Sequence, residues 1–432
     1  MAVTVDQAKL VLNEFASIFQ NNLISKDLVT WNKFTGQMND RNALEVVEQV
    51  TPDYTTSFTD SSVRDLTAGV QESVFGSERY KLDQVIGTDM GWGDFEKIRD
   101  IESARESQAL RKAALRLATD IDAYVIGFAA NMPNNWLGDG VSNVAKWDDI
   151  ASGYTRLKEE GCEDGDLKAV LTYNDKQALG SEMVESNRTG NLEATNVYRD
   201  GWQGMVAGLP THFTQQLPAL TVGSRLATAT STTDYSSGDF DNDYKDVAIS
   251  PAPGQYMTGL LNITGQAGSV TLVDGETFTI EGVFAYDNRA KKQLNHLQEF
   301  RVVGDYTASG GDFSNVRYFP AVILDGPHQT VVNTNGGGTT FDGLAIQHKG
   351  GAGATLQPRF ICDKSAVVCN TADLIMPASG TARRVNLTKV PMSVRMWQDS
   401  VFATGEHRIR FDVAIKCDVA ADGRRRSVRI NG

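Results

Sequence analysis

The sequence predicts an α+β fold in which a β-rich domain is inserted into a mixed one. Three features carry this expectation: a long amphipathic helix after residue 103, short strand patterns throughout 224–348, and mixed helix and strand signals on both sides of them. At 432 residues the chain is longer than one simple core organises. Hydrophobic residues at 41% and charged residues at 22% are ordinary for a folded protein and argue against disorder.

The elements follow in chain order. Thr4 and Gln7 have capping-box spacing, and Val11, Phe15, Ile18 and Phe19 then recur on one helical face. Residues 20–50 are polar and weakly patterned, which predicts an extended arm. From Thr51 to Thr88 short alternations (Val70, Glu72, Val74; Tyr80, Leu82) predict a polar hairpin reaching away from the body, with Gly76-Ser77 as its turn. Ser103 and Glu106 form a second capping box. After it Leu110, Ala114, Leu117, Ile121, Tyr124 and Phe128 mark one long helix, stopped near Met132-Pro133. A helix over 103–131 would be roughly 43 Å long at about 1.5 Å per residue.

An α/β section comes next. Trp147, Ile150, Tyr154 and Leu157 make a helical stripe, Lys168 to Tyr173 a strand, and Asn174 caps another helix. Between 224 and 348, SVTLV (269–273), TFTIEGVFAY (277–286), FRVVGDY (300–306) and FPAVIL (319–324) alternate with Gly, Asp and Ser turns and predict a small β-barrel or sandwich. The glycines at 336–338 and 350–353 predict flexible loops with positive φ. The chain closes on strand-like SVRMW (393–397) and IRFDVAIKCDV (409–419).

Charge and chemistry narrow the function classes. A formal net charge of -13 argues against a dedicated nucleic-acid binder, whose affinity rests on Lys and Arg meeting phosphates. It leaves open a container whose walls only face nucleic acid. The four cysteines (Cys162, Cys362, Cys369, Cys417) form no CxxC pair, so neither a zinc site nor a disulfide framework is expected, and a reducing compartment suits them. The opening MAVTVDQAKL has no leader pattern, and no run of apolar residues is long enough to span a membrane.

Neither GxSxG, HExxH, a Walker loop nor an EF-hand occurs. His212, His296, His328, His348 and His407 stand far apart and read as ordinary histidines. Asp239, Asp241, Asp243 and Asp246 lack the central Gly and closing Glu of a calcium loop and read as a solvated or partner-facing loop. Arg424, Arg425, Arg426 and Arg429 read as a tail serving solubility or ion pairs between subunits, with DNA contact as the sharper alternative. Catalytic residues, cofactors and metals are not expected. What remains is an arm, a hairpin, a long helix and an inserted β-domain. Such projections lose ordering entropy that no internal core offsets, so they suit a subunit ordered by its neighbours.

This order of parts resembles the Hong Kong-type capsid fold of tailed phages, with its N-terminal arm, E-loop, spine helix, peripheral domain and axial domain. Phe95 to Met132 looks like the spine helix. YRDGWQGMVAGLPTHFTQQLPALTVG (198–223) is similar to the axial-domain stretch before the insertion domain of short-tailed Salmonella phage coat proteins. GETFTIEGVFAYDNRAKKQLNHLQEFRVV (275–303) resembles a strand pair of that inserted barrel, and IRFDVAIKCDVAADGRRRSVRI (409–430) the closing strands.

The resemblance implies an arm over 1–50, an E-loop over 51–93, the spine helix over 94–135, a first axial part over 136–223, the inserted barrel over 224–348, and a return over 349–432. It implies a major capsid protein and no enzyme, forming hexamers and pentamers of an icosahedral shell around double-stranded DNA. It implies a scaffolding protein, a portal at one vertex, and a place in the virion after assembly in the host cytoplasm. An inter-capsomer loop best matches Ser236–Val247, with Asp239, Asp241, Asp243, Lys245 and Asp246 as contacts; Asp6 and Glu14 are the candidate scaffolding contacts. Two alternatives stay open: a non-viral encapsulating shell of the same fold, and a β-rich carbohydrate- or receptor-binding protein.

Overall fold

The computed structural model describes residues 7–38, 44–50, 76–91, 107–138, 146–162, 166–186, 205–226, 231–234, 257–266, 268–287, 290–326, 328–334, 343–378, 380–401, 406–420 and 425–431. They fall into two units, each gathered from three stretches of chain. The first comprises Met1–Val46, Arg79–Phe128 and Lys364–Ala420, and the second Val47–Glu78, Ala129–Asp363 and Ala421–Gly432. Four helices are labelled here: α1 (Gln7–Asn22), α2 (Gln108–Asn131), α3 (Trp147–Glu159) and α4 (Tyr173–Ser186).

In the first unit the apolar stripe of α1 is core. Val11, Leu12, Phe15 and Phe19 are buried, and Phe15 stacks on Phe411 with centroids 3.9 Å apart. The chain then enters the strand Thr30–Met38, which pairs in parallel with Val367–Leu374. The expectation of an extended arm over 20–50 is therefore corrected for 30–38. A parallel partner more than 300 residues away supplies the ladder that local sequence gives no hint of.

α2 begins at Ser107, whose Oγ accepts from the Leu110 N–H at 3.3 Å; the predicted cap at Ser103 and Glu106 lies outside the described residues. Leu110, Ala114, Leu117 and Ile121 are buried, as the spacing predicted. Asp122 on the same helix is also buried, and its carboxylate accepts the N–H groups of Ile24 and Ser25, both at 2.9 Å. Burial pushes its carboxyl above the usual range, against the pull of those two bonds.

The sheet of this unit centres on Glu406–Val419. Its C-terminal half pairs with Val367–Leu374, and its N-terminal half with Ser393–Val401 and with Val85–Gly91. Thr30–Met38 and Thr381–Asn386 are the edge strands, the latter paired among the described residues with Ser393–Val401 alone. Val85–Gly91 was expected in the protruding hairpin. It is instead a strand of this sheet, and Gly87 is opposite Asp412, where an added Cβ would strike the carboxylate and come within 2.9 Å of the Phe411 carbonyl. Gly76 and Ser77, expected as the turn, belong to the strand Gly76–Leu82 paired with Leu44–Val50. The alternation at Val70, Glu72 and Val74 lies outside the described residues.

The second unit holds a mixed sheet in the order Asn135–Leu137, Ser427–Ile430, Arg359–Asp363, Leu167–Leu171, Leu209–Phe213, Met205–Val206. Ile150 and Leu157 of α3 belong to the core that also contains Leu171, Ile361 and Val428, and Gly153 leaves room for Ile361. α4 is capped two residues earlier than predicted. Thr172, not Asn174, exchanges bonds with Asp175: the Thr172 N–H and hydroxyl donate to Asp175 Oδ2, and the Asp175 N–H donates back to Thr172 Oγ1.

Leu220–Thr221 and Thr355–Leu356 form an antiparallel pair, and between them the chain is β-rich with no helix among the described residues. Thr277–Asp287 pairs with Lys292–Val302, which pairs with Phe313–Phe319, then Gly259–Thr264, Ser231–Asp234 and Ala345–His348. Ala345–His348 pairs in turn with Thr277–Asp287, so the pairings return to their start. The core inside holds Phe278, Phe300 and Tyr318, the last two edge to face at 5.3 Å.

Two strand expectations are corrected here. SVTLV shrinks to Thr271–Leu272, and the FPAVIL strand ends at Phe319 because Pro320 has no N–H to continue a ladder. Gly350 and Gly353 do take positive φ, 78° and 68°, but the loop is tied down: Gly353 donates to the Gly223 carbonyl at 3.0 Å. Gly336, Gly337 and Gly338 lie outside the described residues.

Candidate assembly surfaces

Asp239, Asp241, Asp243, Lys245, Asp246 and Asp6 lie outside the described residues, so no geometry attaches to the predicted inter-capsomer loop or to the first scaffolding contact. Glu14 is half-buried on α1, beside the stripe that contains Phe15, and is already engaged by other groups.

Two of the four tail arginines are corrected, whereas Arg426 is exposed and Arg424 lies outside the described residues. Arg425 is buried and donates to the Tyr286 carbonyl at 2.7 Å. Arg429 is fully buried, donates to the carbonyls of Gly275 and Pro133, and has its guanidinium 5.4 Å from the Trp136 ring centroid. Burial pushes Arg429 down to about 9, so it remains a cation near neutral pH. Both residues stitch the second unit internally, which a count of charges near a C-terminus cannot reveal.

In the first unit a buried ionic group positions an exposed apolar one. Asp412 is fully buried between Arg395, at 2.7 Å, and Arg410. Arg395 also donates to the Ile375 carbonyl at 2.7 Å. This anchors the chain just past Val367–Leu374, where Ile375 and Met376 are 40% and 37% exposed. Two adjacent large apolar side chains are thus exposed on a backbone braced from below. Charges inside SVRMW and IRFDVAIKCDV were the available clue, since a strand buried on both faces rarely carries them. Among the described residues of the second unit's α/β part, Trp147, Tyr173 and Met205 are exposed large apolar residues.

The second unit has its own buried ion pairs: Arg225 with Glu276, and Arg359 with Asp175 at 2.9 Å. Glu299, itself buried, accepts the Trp136 N–H at 2.6 Å and lies 3.0 Å from Lys349 Nζ. Burial, then Arg225, pushes His348 down to about 3; burial, then Arg156 and Arg425, does the same to His296. Both rings are neutral near pH 7, so the 3.7 Å approach of His296 to Glu159 is not an ion pair there. Among the described residues no group of three His, Cys, Asp or Glu could hold a metal ion, and no described helix is long and apolar enough to cross a membrane.

All four cysteines are buried. Burial pushes the thiols of Cys162 and Cys362 up to about 12. Cys369 and Cys417 are directly opposed on neighbouring strands of the first unit, with sulfurs 2.6 Å apart. Forty-eight residues separate them in sequence, so spacing gives no sign of the encounter.

Residues 82–420 match the model of a family described as P22 coat protein, gene protein 5. No curated protein matches the chain. Among solved structures the chain is similar to one from Mycobacterium phage Che8, at 11% identity over 90% of this chain and 84% of that one, with a TM-score of 0.38. It is similar to the mature capsid of bacteriophage PhiM1, at 10% identity over 95% and 86%, with a TM-score of 0.40. It is also similar to a virus-like particle from Pyrococcus furiosus, at 7% identity over 99% and 100%, with a TM-score of 0.39.

Proposed function

Because the chain belongs to the P22 coat protein family, a family of phage major capsid proteins, we propose that it builds an icosahedral shell of hexamers and pentamers around double-stranded DNA. The family match over 82–420 is the observation that carries this reading. In it α2 is the spine helix of a Hong Kong-type subunit, and the ring of strand pairings from Ser231 to His348 is the inserted β-barrel. The barrel grows from the antiparallel pair Leu220–Thr221 and Thr355–Leu356, which holds its entry and exit side by side.

The mechanism is self-association. Quasi-equivalent positions ask one subunit to meet its neighbours at slightly different angles, which a rigid body does best through small braced contacts and pliable connections. Ile375 and Met376, fixed by Arg395 and Asp412, serve as one such contact with a second copy. The acidic stretch with Asp239, Asp241, Asp243, Lys245 and Asp246 bridges capsomers, setting register more than affinity. Asp6 and Glu14 meet a scaffolding protein, a portal occupies one vertex, and an acidic shell wall holds its genome weakly. The subunit is synthesised in the host cytoplasm and ends in the virion.

The test is electron microscopy and sedimentation of the full chain, alone and with a scaffolding protein. Closed shells are expected, and persistent monomers under both conditions would overturn the proposal. Exchanging Ile375 and Met376 for Ser is expected to leave the melting midpoint of the subunit nearly unchanged, since both are exposed, while shell yield falls sharply. Unchanged yield would remove that contact from the mechanism.

A further inference from the structure

We propose that Cys369 and Cys417 form a cross-strand disulfide site, a covalent staple between Val367–Leu374 and Glu406–Val419. The case rests on placement. The two residues are paired partners in an antiparallel ladder, flanked by Val368 with Asp418 and Asn370 with Lys416. Directly opposed antiparallel residues have Cα atoms about 4.5–5.5 Å apart, inside the range of about 4.4–6.8 Å that a disulfide bridges. The two free thiols face each other across the ladder, with sulfurs 2.6 Å apart. Cys162 and Cys362 have no such placement and belong to the other unit.

The chemistry is thiol–disulfide exchange with a small-molecule disulfide. One cysteine thiolate attacks the small disulfide, forming a mixed disulfide and releasing one small thiolate. The second cysteine thiolate then attacks the protein sulfur of that mixed disulfide and releases the other. The two protein thiols lose two protons and two electrons, and the small disulfide gains them as two thiols. With exposures of 0% and 1%, the pair meets reagent only when its strands part, so in a reducing host cytoplasm it folds as two thiols and closes only where an oxidised small-molecule disulfide is present while the strands are open. The closed loop holds Arg395, Asp412, Ile375 and Met376, so the bond restrains the segment that carries the exposed apolar pair.

The experiment uses the unaltered full chain, refolded in a mixture of oxidised and reduced glutathione. Thiols are then titrated in denaturant, and peptides are mapped without reduction. The expected result is two of the four thiols lost, one peptide pair joined through Cys369 and Cys417, and a mass lower by two hydrogens. The melting midpoint is expected to rise by several degrees over the same protein treated with dithiothreitol. The double variant Cys369→Ala, Cys417→Ala should show no such difference, and the unaltered chain decides the matter even if that variant fails to fold. Four free thiols after refolding, a bond through Cys162 or Cys362, or a lasting mixed disulfide with glutathione would each overturn the proposal. The readout is taken on the subunit, so failure to form shells has no bearing on it.

Discussion

The sheet centred on Glu406–Val419 and the ring of strands from Ser231 to His348 are both largely antiparallel, yet they are recruited and held differently. The sheet draws on residues near 30, 85, 370, 383, 397 and 412, so it cannot be complete until almost the whole chain exists. The ring uses strands from one stretch of sequence. Contacts that close short loops form sooner than those that close long ones, so the ring is expected to organise first. Their cores differ as well. The ring is filled by Phe278, Phe300 and Tyr318, and its buried pair Arg225–Glu276 sits where strands begin. The sheet places Asp412 and Arg395 side by side on neighbouring strands in its middle. An apolar core tolerates repacking, whereas a buried ion pair penalises every register that leaves one charge alone. A long-range sheet has many wrong registers to exclude, and the ring has fewer.

The largest effects come from breaking each region by its own means. Asp412→Ala strands the Arg395 guanidinium in the sheet and is expected to cost about 3–5 kcal/mol. Hydrogen exchange should speed up in Val367–Leu374 and Glu406–Val419 while Thr277–Val302 stays protected. Phe300→Ala, removing a fully buried ring, costs about the same 3–5 kcal/mol and should give the reverse pattern. If both variants loosened both regions equally, the contrast would be wrong.

A pH series sharpens it. Burial pushes Asp418 up to about 6 from 3.8, and its Oδ1 finds no donor among the described residues. The folded state therefore holds this proton more tightly than the unfolded chain does. The resulting penalty, roughly 3 kcal/mol at about 1.4 kcal/mol per pKa unit, is full above about pH 6 and fades as pH falls towards 4. Asp418→Asn should be more stable than the parent at pH 7 and should lose that part of the pH slope in chemical denaturation. A parallel slope in the variant would refute the assignment. The smallest expected effect is at the edge of the same sheet. Lys33 lies 2.7 Å from Asp373 with a quarter of its side chain exposed, and Lys33→Ala should shift stability by less than about 1 kcal/mol. A loss several times larger would mean that edge charges, too, select register.

By itself the sequence determined what depends on neighbours a few residues apart. The apolar spacing of Leu110, Ala114, Leu117 and Ile121 marked α2, and that of Ile150 and Leu157 marked α3. The period-two runs at 277–286 and 409–419 marked strands that the structure contains. Its largest misses share one cause. Thr30–Met38 looked like an arm, Val85–Gly91 like a hairpin and Arg429 like a surface charge because the partner that buries each is distant in the chain. The candidate surface was legible only as odd charges inside apolar strands. That Asp412 meets Arg395, that Ile375 and Met376 are thereby held outward, and that Cys369 faces Cys417 follow from register. Register is a relation between strands, decided by which pairing buries every side chain with its partner, and only the tertiary structure settled it. The mixed fold and the β-rich character of 224–348 were written locally; the contacts that brace them were not.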